Sequence, residues 1–311
     1  MKLAFVYAGQ GSQKVGMGRD FYERYPEFRD VFDSAPVDFD LKSLCFDGPE
    51  EQLSQTQYTQ PCMVAFAIGV TDLLAKEGIR PDAAAGLSLG EYSALYCAGV
   101  FDRLTAMSVV YLRGRAMMEA AWGLECGMTA VLGLEREKLQ QACDQAAQLG
   151  VVQICNYNCP GQLVIGGEKA AVDRAGELAK ELGAKRCMPL KVSGPFHTRL
   201  MKAAGAVLAA YFQLIPFRPM ELPVYFNCKG GPKEEGETVQ ALLERQVQSS
   251  VYWEDTIRRM EADGIDTIVE IGPGKTLTSF VKKTAPGIKT YTIDTADDFE
   301  KVVQALKGEA Q

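Results

Sequence analysis

The sequence predicts an α/β fold in two parts, on the strength of three observations. Strand-like and helix-like segments alternate through most of the 311 residues, which is typical of this class. Within residues 126–194 the order is strand, helix, strand, strand, helix, strand, as in a ferredoxin-like unit. A Gly-Xaa-Ser-Xaa-Gly frame at residues 86–90 lies between a strand and a helix. Together these predict a hydrolase-like large subdomain with a parallel sheet, plus an inserted ferredoxin-like (βαββαβ) small subdomain.

The strand and helix order of residues 126–194 defines the predicted subdomain boundaries. Residues 1–125 and 195–311 form the large catalytic α/β subdomain, and residues 126–194 form the small one. A chain of this length is long enough to bury one large core and to carry an insert.

The first part of the large subdomain supplies two predicted strands and a helix. An apolar run within residues 1–8 predicts a buried first strand. Residues 82–90 begin as a short Ala-rich stretch and run into the glycine frame, and residues 91–98 predict a helix. Ser88, at the centre of the frame, therefore lies at a strand-to-helix turn.

In the predicted insert, residues 126–194, apolar residues are spaced alternately as in strands and as in helices. A turn signal, Asn-Cys-Pro-Gly at residues 158–161, joins its two middle strands. The predicted elements are a strand at 128–134, a helix at 135–149, strands at 151–157 and 162–165, a helix at 170–182 and a closing strand at 185–192.

The remaining elements return to the large subdomain. Residues 198–212 predict a helix, residues 224–227 a strand, and a further helix starts within residues 239–246. Residues 267–271 predict a strand that leads into Gly-Pro-Gly. The acidic loop at residues 233–237 is expected to be exposed.

Composition excludes several classes of protein. The 47% hydrophobic and 23% charged fractions are ordinary globular values, and no segment approaches the roughly 18 to 20 apolar residues of a transmembrane helix. Glycines interrupt the apolar start too early for a signal peptide. A net charge of −7 argues against nucleic-acid binding. We therefore expect a cytoplasmic protein with neither membrane nor nucleic acid as a partner.

Nine cysteines are dispersed along the chain, many in apolar stretches. This odd, scattered set is typical of reduced core thiols in a cytosolic protein, not of a disulfide framework. Cys155 and Cys159 lie four apart, but no second cysteine pair follows and the only histidine is distant. No metal site is predicted.

Ser88 and His197 are the candidate catalytic pair. A serine hydroxyl attacks an ester or thioester only when a neighbouring base takes its proton, and His197 is the one histidine in the chain. It follows a Gly-Pro-Phe turn just before a helix, a place where functional residues are commonly mounted. A tight elbow flanked by Gly86 and Gly90 would project the serine oxygen outward.

The same turn predicts an oxyanion hole made of backbone N–H groups. The helix that starts after Ser88 directs the N–H of Leu89 toward the site. A second donor is expected from the loop at residues 9–13, where glycines let main-chain amides approach a ligand, and we assign it to Gln10.

Seven ordered motifs spanning nearly the whole chain resemble those of malonyl-CoA:acyl carrier protein transacylases. The resemblance implies no cofactor, with malonyl-CoA and phosphopantetheinylated acyl carrier protein as substrates. The motifs are Gly9-Gln10-Gly11-Ser12-Gln13, Gly86-Leu87-Ser88-Leu89-Gly90-Glu91-Tyr92-Ser93-Ala94, Arg113-Gly114-Arg115-Ala116-Met117-Met118, Asn158-Cys159-Pro160-Gly161-Gln162, Gly194-Pro195-Phe196-His197, Arg245-Gln246 and Glu270-Ile271-Gly272-Pro273-Gly274.

The reaction that the resemblance implies is a ping-pong acyl transfer in type II fatty acid synthesis. Ser88 would take malonyl from coenzyme A, and the carrier's phosphopantetheine thiol would collect it. His197 would act first as base and then as acid. A backbone carbonyl near the Arg-Gln motif replaces the usual aspartate, so Gln246 marks the third catalytic position. A monomer is expected.

The resemblance also implies the substrate-binding residues. Arg113 would bind the free carboxylate of malonyl with its planar fork of donors, and its apolar sequence neighbours favour burial. Phe196 matches a bulky residue that accompanies malonyl selection in related domains. Met117, Asn158 and Gln162 match further pocket positions.

Two positions depart from the family pattern. Leu87 stands where members usually carry histidine, and Ala8 stands where they commonly carry proline. Neither residue carries a proton in the mechanism, so the departures affect only the local tuning of the elbow and the rate.

Three alternatives remain open from the sequence. A trans-acting polyketide acyltransferase would have the same motifs. An α/β-hydrolase-type thioesterase shares the serine frame but usually places its histidine later in the chain. A non-catalytic carrier-docking homologue is disfavoured because Ser88, His197, Arg113 and Gln246 are all present.

Overall fold

The computed structural model describes residues 1–309, which form an α/β fold with two sheets. The strands are β1 Leu3–Tyr7, β2 Ala83–Gly86, β3 Cys126–Leu132, β4 Val152–Cys159, β5 Gln162–Glu168, β6 Arg186–Pro189, β7 Val224–Phe226, β8 Gly231–Pro232, β9 Val251–Tyr252, β10 Thr267–Ile271 and β11 Lys289–Ile293.

Helices cover the large sheet and one face of the small one. They are α1 Arg19–Arg24, α2 Pro26–Asp33, α3 Leu41–Asp47, α4 Glu50–Leu53, α5 Thr56–Lys76, α6 Gly90–Cys97, α7 Arg103–Ala121, α8 Arg136–Ala146, α9 Lys169–Glu181, α10 Lys202–Phe212, α11 Val239–Val247, α12 Trp253–Ala262, α13 Thr276–Thr284 and α14 Ala296–Glu309.

The large sheet has the strand order β11-β10-β1-β2-β7-β8 and is parallel except at β8. Tyr7 at the end of β1 lies level with Ile271 of β10 and Gly86 of β2. The loops that follow these three strands therefore meet at one edge of the sheet. In open α/β sheets this carboxyl edge is where ligands bind.

Alternation along β1 shows why the sheet is covered on both faces. Leu3, Phe5 and Tyr7 belong to one hydrophobic core, and Ala4 and Val6 belong to another. Successive side chains of a strand point to opposite faces, so a strand that is apolar at every position needs helices on both sides.

The small sheet has the order β6-β3-β5-β4-β9, and α8 and α9 pack against it over a separate core. The sequence of elements from β3 to β6 is βαββαβ, so the predicted fold class is confirmed. One strand comes from outside the predicted insert: β9 pairs in parallel with β4, where Asn156 lies opposite Val251. The proposed division at residues 126–194 thus separates two chain segments that share one sheet.

The hairpin between β4 and β5 is tighter than predicted. Asn158 and Cys159 belong to β4, and only Pro160 and Gly161 form the turn. Gly161 has a φ of 69°, the left-handed conformation that short hairpin turns require. The predicted turn within residues 158–161 is present but is limited to its last two residues, because the β ladder continues to the pair formed by Cys159 and Gln162.

Three other predicted elements are shorter than expected. The helix predicted at 135–149 ends at Ala146 and continues as a single 3₁₀ turn, Ala147–Leu149. The helix predicted at 198–212 likewise begins with a 3₁₀ turn, which the hydroxyl of Thr198 caps by accepting from Leu200 N–H. The closing strand predicted at 185–192 ends at Pro189, and the residues after it line a cavity.

Among the helices within residues 1–309, none is long and apolar enough to cross a membrane. Over the same residues, no three His, Cys, Asp or Glu side chains form a group that could hold a metal ion. The nine cysteines are free thiols, six of them buried.

Candidate active site

Ser88 lies on a sharp elbow between β2 and α6, with a φ of 53°. Its glycine neighbours are required by close backbone contacts. A Cβ on Gly86 would lie 1.9 Å from the carbonyl carbon of Gly90, and one on Gly90 would lie 2.2 Å from the oxygen of Tyr7. Only glycine fits at both positions, so the frame is what allows the turn to pack against β1.

His197 is hydrogen-bonded to Ser88. Its Nε2 lies 2.7 Å from the serine Oγ, and its Nδ1 lies 3.0 Å from the backbone oxygen of Gln246. Because a carbonyl oxygen only accepts hydrogen bonds, Nδ1 carries the proton and Nε2 is left to accept the proton of the serine hydroxyl. The imidazole is therefore in the tautomer that a general base for Ser88 needs.

The backbone around His197 holds the ring in place. Its φ of 60° is left-handed, and Ser88 is the only other non-glycine among residues 1–309 with a positive φ. The hydroxyl of Thr198 donates to the Pro195 oxygen at 2.6 Å and closes the turn. A conformation of this kind costs on the order of 1–3 kcal/mol and persists only where its surroundings fix it.

Burial and, as the smaller cause, the positive charge of Arg113 lower the pKa of His197 to about 4. The carbonyl of Gln246 acts in the opposite sense by stabilising the Nδ1 proton. The ring is thus neutral at pH 7 and can act as a base.

We expect the kcat/KM for acyl transfer to be flat between pH 8 and about 6 and to fall below about pH 5, because only the neutral imidazole accepts the serine proton. The profile would be measured with malonyl-CoA over a range in which circular dichroism shows the protein folded. An acid limb centred near 6.5, the ordinary histidine value, would contradict the burial of the ring.

Arg113 on α7 places a buried cation beside the nucleophile. It is fully buried, and its Nη2 donates to Ser88 Oγ and to Gln246 Oε1, both at 3.1 Å. Its guanidinium stacks on the ring of Tyr92 at 5.2 Å, while Nε has no acceptor. Within residues 1–309 it forms no ion pair, so its charge is without a carboxylate partner. Burial accordingly lowers its pKa.

Gln246 of α11 uses three of its polar groups at the site. Its backbone oxygen accepts from His197, its side-chain oxygen accepts from Arg113, and its Nε2 donates to the Ser88 oxygen at 2.8 Å. The prediction that a carbonyl near the Arg-Gln motif would orient the imidazole agrees with this geometry.

A cavity of about 520 Å³ opens over Ser88 and His197. It runs between the loop at residues 9–13, the elbow, the small sheet and the start of α13. Of the residues predicted to bind substrate, Met117, Asn158 and Phe196 line it. A larger cavity of about 680 Å³ lies beside Tyr157 and does not include the pair.

Two of the predicted substrate-binding residues, Arg113 and Gln162, are outside the group that lines the cavity. Arg113 nevertheless lies against the nucleophile, with Nη2 3.1 Å from Ser88 Oγ, whereas Gln162 pairs with Cys159 at the hairpin end of β5. The short turn holds it in the ladder, so its position does not support a contact with substrate.

Two backbone donors are available for an oxyanion. The N–H groups of Gln10 and Leu89 donate to no acceptor within residues 1–309, and Gln10 lines the cavity. The N–H of Ser88 itself is occupied, because it donates to Asn227 Oδ1 at 2.6 Å.

Asn227 and Glu91 are residues at the site that sequence reasoning did not single out. Both are fully buried, and they connect the end of β7 with the elbow. A polar residue at the carboxyl end of a predicted strand was the available signal for Asn227, and the serine motif already contained Glu91.

The fold and the site define a class of enzyme: those that transfer or hydrolyse acyl groups through an acyl-serine intermediate formed by a Ser-His pair on an elbow. Residues 4–300 match the family model described as acyl transferase domain. The chain belongs to this acyltransferase family, within the malonyl CoA-acyl carrier protein transacylases.

Similar proteins support this membership and confirm the resemblance found in the motifs. The malonyl CoA-acyl carrier protein transacylase of Bacillus subtilis is 41% identical over 99% of this chain and 98% of its own length. The crystal structure of the Clostridium perfringens protein of that name has a TM-score of 0.95 and 35% identity, covering 100% of this chain and 98% of that one. A malonyl-transacylase solved in complex with a holo type II polyketide acyl-carrier protein has a TM-score of 0.95 and 37% identity, covering 98% of this chain and 100% of its own.

Proposed function

We propose that this acyltransferase moves malonyl from malonyl-CoA to the phosphopantetheine thiol of acyl carrier protein through a malonyl-Ser88 intermediate, supplying fatty acid synthesis. The main support for this proposal comes from Arg113. Its guanidinium is fully buried, has no carboxylate partner within residues 1–309, and has Nη2 3.1 Å from Ser88 Oγ. A buried cation without an anion is costly, and a substrate that brings a carboxylate supplies the missing charge. Malonyl has a carboxylate at one end and a thioester at the other.

The first half-reaction acylates the serine. Ser88 Oγ attacks the thioester carbon while His197 Nε2 takes its proton, and the N–H groups of Leu89 and Gln10 stabilise the resulting oxyanion. The intermediate collapses when the carbon-sulfur bond breaks. His197 returns the proton to the departing sulfur, so coenzyme A leaves as a thiol. A thiolate leaves readily, so a carbonyl in place of an aspartate is sufficient to orient the imidazole.

Arg113 sets the direction in which the acyl group lies. In the free enzyme its Nη2 donates to Ser88 Oγ and Gln246 Oε1. A bound carboxylate would accept from the guanidinium fork instead, and would hold the thioester carbon next to the serine. An acetyl group offers no acceptor and leaves the buried cation unpaired, which disfavours it.

The second half-reaction reverses the first. The phosphopantetheine thiol of the carrier enters the cavity, His197 takes its proton, and its sulfur attacks the malonyl ester carbon. Ser88 leaves with the proton from His197. Every side chain in this scheme comes from one chain, so a single chain carries a complete site.

A polyketide carrier protein is the second candidate acceptor. The transacylase solved with such a carrier is similar to this chain over nearly its whole length, and the site described here serves either carrier equally well. A comparison of kcat/KM for fatty acid and polyketide holo-carriers under identical conditions distinguishes the two. A higher kcat/KM for the fatty acid carrier than for the polyketide carrier would support a role in fatty acid synthesis.

Product identity tests transfer against hydrolysis. Purified protein with malonyl-CoA and holo-carrier is expected to form malonyl-carrier, with free malonate as a minor product that falls when carrier is added. Malonate released at the same rate with and without carrier would show a thioesterase and would overturn the proposal.

A further inference from the structure

We infer that Asn227 is a positioning residue for the Ser88 nucleophile and that the carboxyl group of Glu91 holds Asn227 in place. The inference rests on the proposed function for the identity of the nucleophile. Both residues are fully buried, and their hydrogen bonds go to protein backbone groups, so each acts through Ser88 and not on the substrate.

The conformation of Ser88 requires outside support. Its φ of 53° is a left-handed conformation, which a residue other than glycine keeps only where its surroundings fix it. The Ser88 oxygen accepts from the backbone N–H of Glu91 at 3.2 Å, and two side chains add further support. Asn227 Oδ1 accepts from the Ser88 N–H at 2.6 Å, and Gln246 Nε2 donates to the Ser88 oxygen at 2.8 Å.

Asn227 also fixes the strand that leads into the elbow. Its Nδ2 donates to the Gly86 oxygen at 2.7 Å, so one amide group holds the chain at two points two residues apart. This pair of bonds defines the path of the backbone through Ser88. The direction of the serine Oγ, and hence its distance to His197 Nε2, depends on that path.

Glu91 anchors Asn227 from the other side. Its Oε2 accepts from the backbone N–H of Asn227 at 2.6 Å, and its other oxygen has no hydrogen-bond partner. The carboxyl is fully buried in the first turn of α6, with the cations Arg113 and Arg245 in its electrostatic surroundings. Burial raises the pKa of Glu91 to about 8, so the carboxyl is mostly neutral at pH 7.

These contacts form a closed loop. Glu91 lies three residues after Ser88 and accepts a hydrogen bond from the N–H of Asn227. The side chain of Asn227 in turn accepts from the N–H of Ser88. Removing one member of the loop leaves buried polar groups of the others without partners, which destabilises the elbow. Its placement around the elbow, away from the cavity, is what assigns it to positioning.

The experiment measures how fast Ser88 reacts with a fluorophosphonate probe, followed by intact mass, together with kcat and KM for malonyl transfer. The probe reacts with an activated serine whatever its natural acyl donor. Asn227→Ala is expected to lower the phosphonylation rate and kcat by about 10- to 100-fold, the scale of a small misplacement of a reacting group, with KM for malonyl-CoA unchanged.

Glu91 variants provide the rescue test. Glu91→Gln keeps an oxygen that can accept from Asn227 and is expected to react within a few fold of wild type, whereas Glu91→Ala is expected to behave like Asn227→Ala. Asp40→Ala removes the side-chain cap of α3, remote from the site, and controls for a general loss of stability. It is expected to leave the probe rate unchanged.

Equal probe rates for wild type and Asn227→Ala would overturn the inference, as would a Glu91→Gln rate no higher than that of Glu91→Ala. If Asn227→Ala does not fold, Asn227→Ser is used, with the same expectations. Failure of wild type to accept malonyl while Ser88 still reacts faster with the probe than in Asn227→Ala would reject the proposed function and leave this inference intact.

Discussion

Replacing His197 with alanine is expected to lower the rate of malonyl transfer by roughly 10²- to 10⁴-fold, the usual loss when a general base is removed. The chain contains no second histidine, and the nearest cation, Arg113, cannot accept a proton. The residual rate should rise with pH, because a fraction of Ser88 then ionises without help. Stopped-flow acylation with malonyl-CoA measures the effect.

The affinity for malonyl-CoA distinguishes the loss of the general base from general damage to the site. His197→Ala keeps Arg113 and the cavity, so its affinity for malonyl-CoA is expected to stay close to that of wild type by calorimetry. A variant that transfers malonyl at more than a tenth of the wild-type rate would contradict the assignment of His197 as the base.

Arg113→Ala is expected to reduce kcat/KM for malonyl-CoA by at least about 10²-fold, because a site built to bind a polar group loses heavily when that contact is removed. The kcat/KM for acetyl-CoA, which has no carboxylate, should fall far less. The ratio of the two kcat/KM values is therefore the quantity to measure. Arg113→Lys should fall between wild type and alanine, since it keeps the charge but not the planar fork.

Arg115 offers a matched control on the same helix. Its side chain is mostly exposed and lies beside Asp38 at the surface, away from the cavity over Ser88. Arg115→Ala should leave the malonyl-to-acetyl ratio unchanged. Equal losses for malonyl and acetyl in Arg113→Ala would contradict the carboxylate clamp and point to general damage.

The parts that sequence could predict are those set by local pattern. Alternating elements and the βαββαβ order follow from hydrophobic periodicity, and both agree with the structure. The Ser88 elbow is predictable because its two glycines stand where a Cβ would lie less than 2.5 Å from neighbouring backbone atoms. A chain with one histidine leaves His197 as the only imidazole base.

The parts that sequence could not predict depend on contacts between distant segments. Strand β9 has two residues and gains its place only by pairing with β4. Asn227 lies 139 residues from Ser88 in the chain, and its local sequence places it at the carboxyl end of a strand without indicating that it binds the serine N–H. Gln162 carries a motif position, but a two-residue turn places it in the ladder and outside the cavity lining.

Formation of a malonyl-Ser88 ester is tested by the intact mass of the protein after brief mixing with malonyl-CoA. We predict a gain of one malonyl group, located on Ser88 by peptide mapping, absent in Ser88→Ala, and discharged on adding holo-acyl carrier protein as malonyl-carrier forms. A wild-type protein that gains no malonyl group, or a Ser88→Ala variant that gains one, would contradict it.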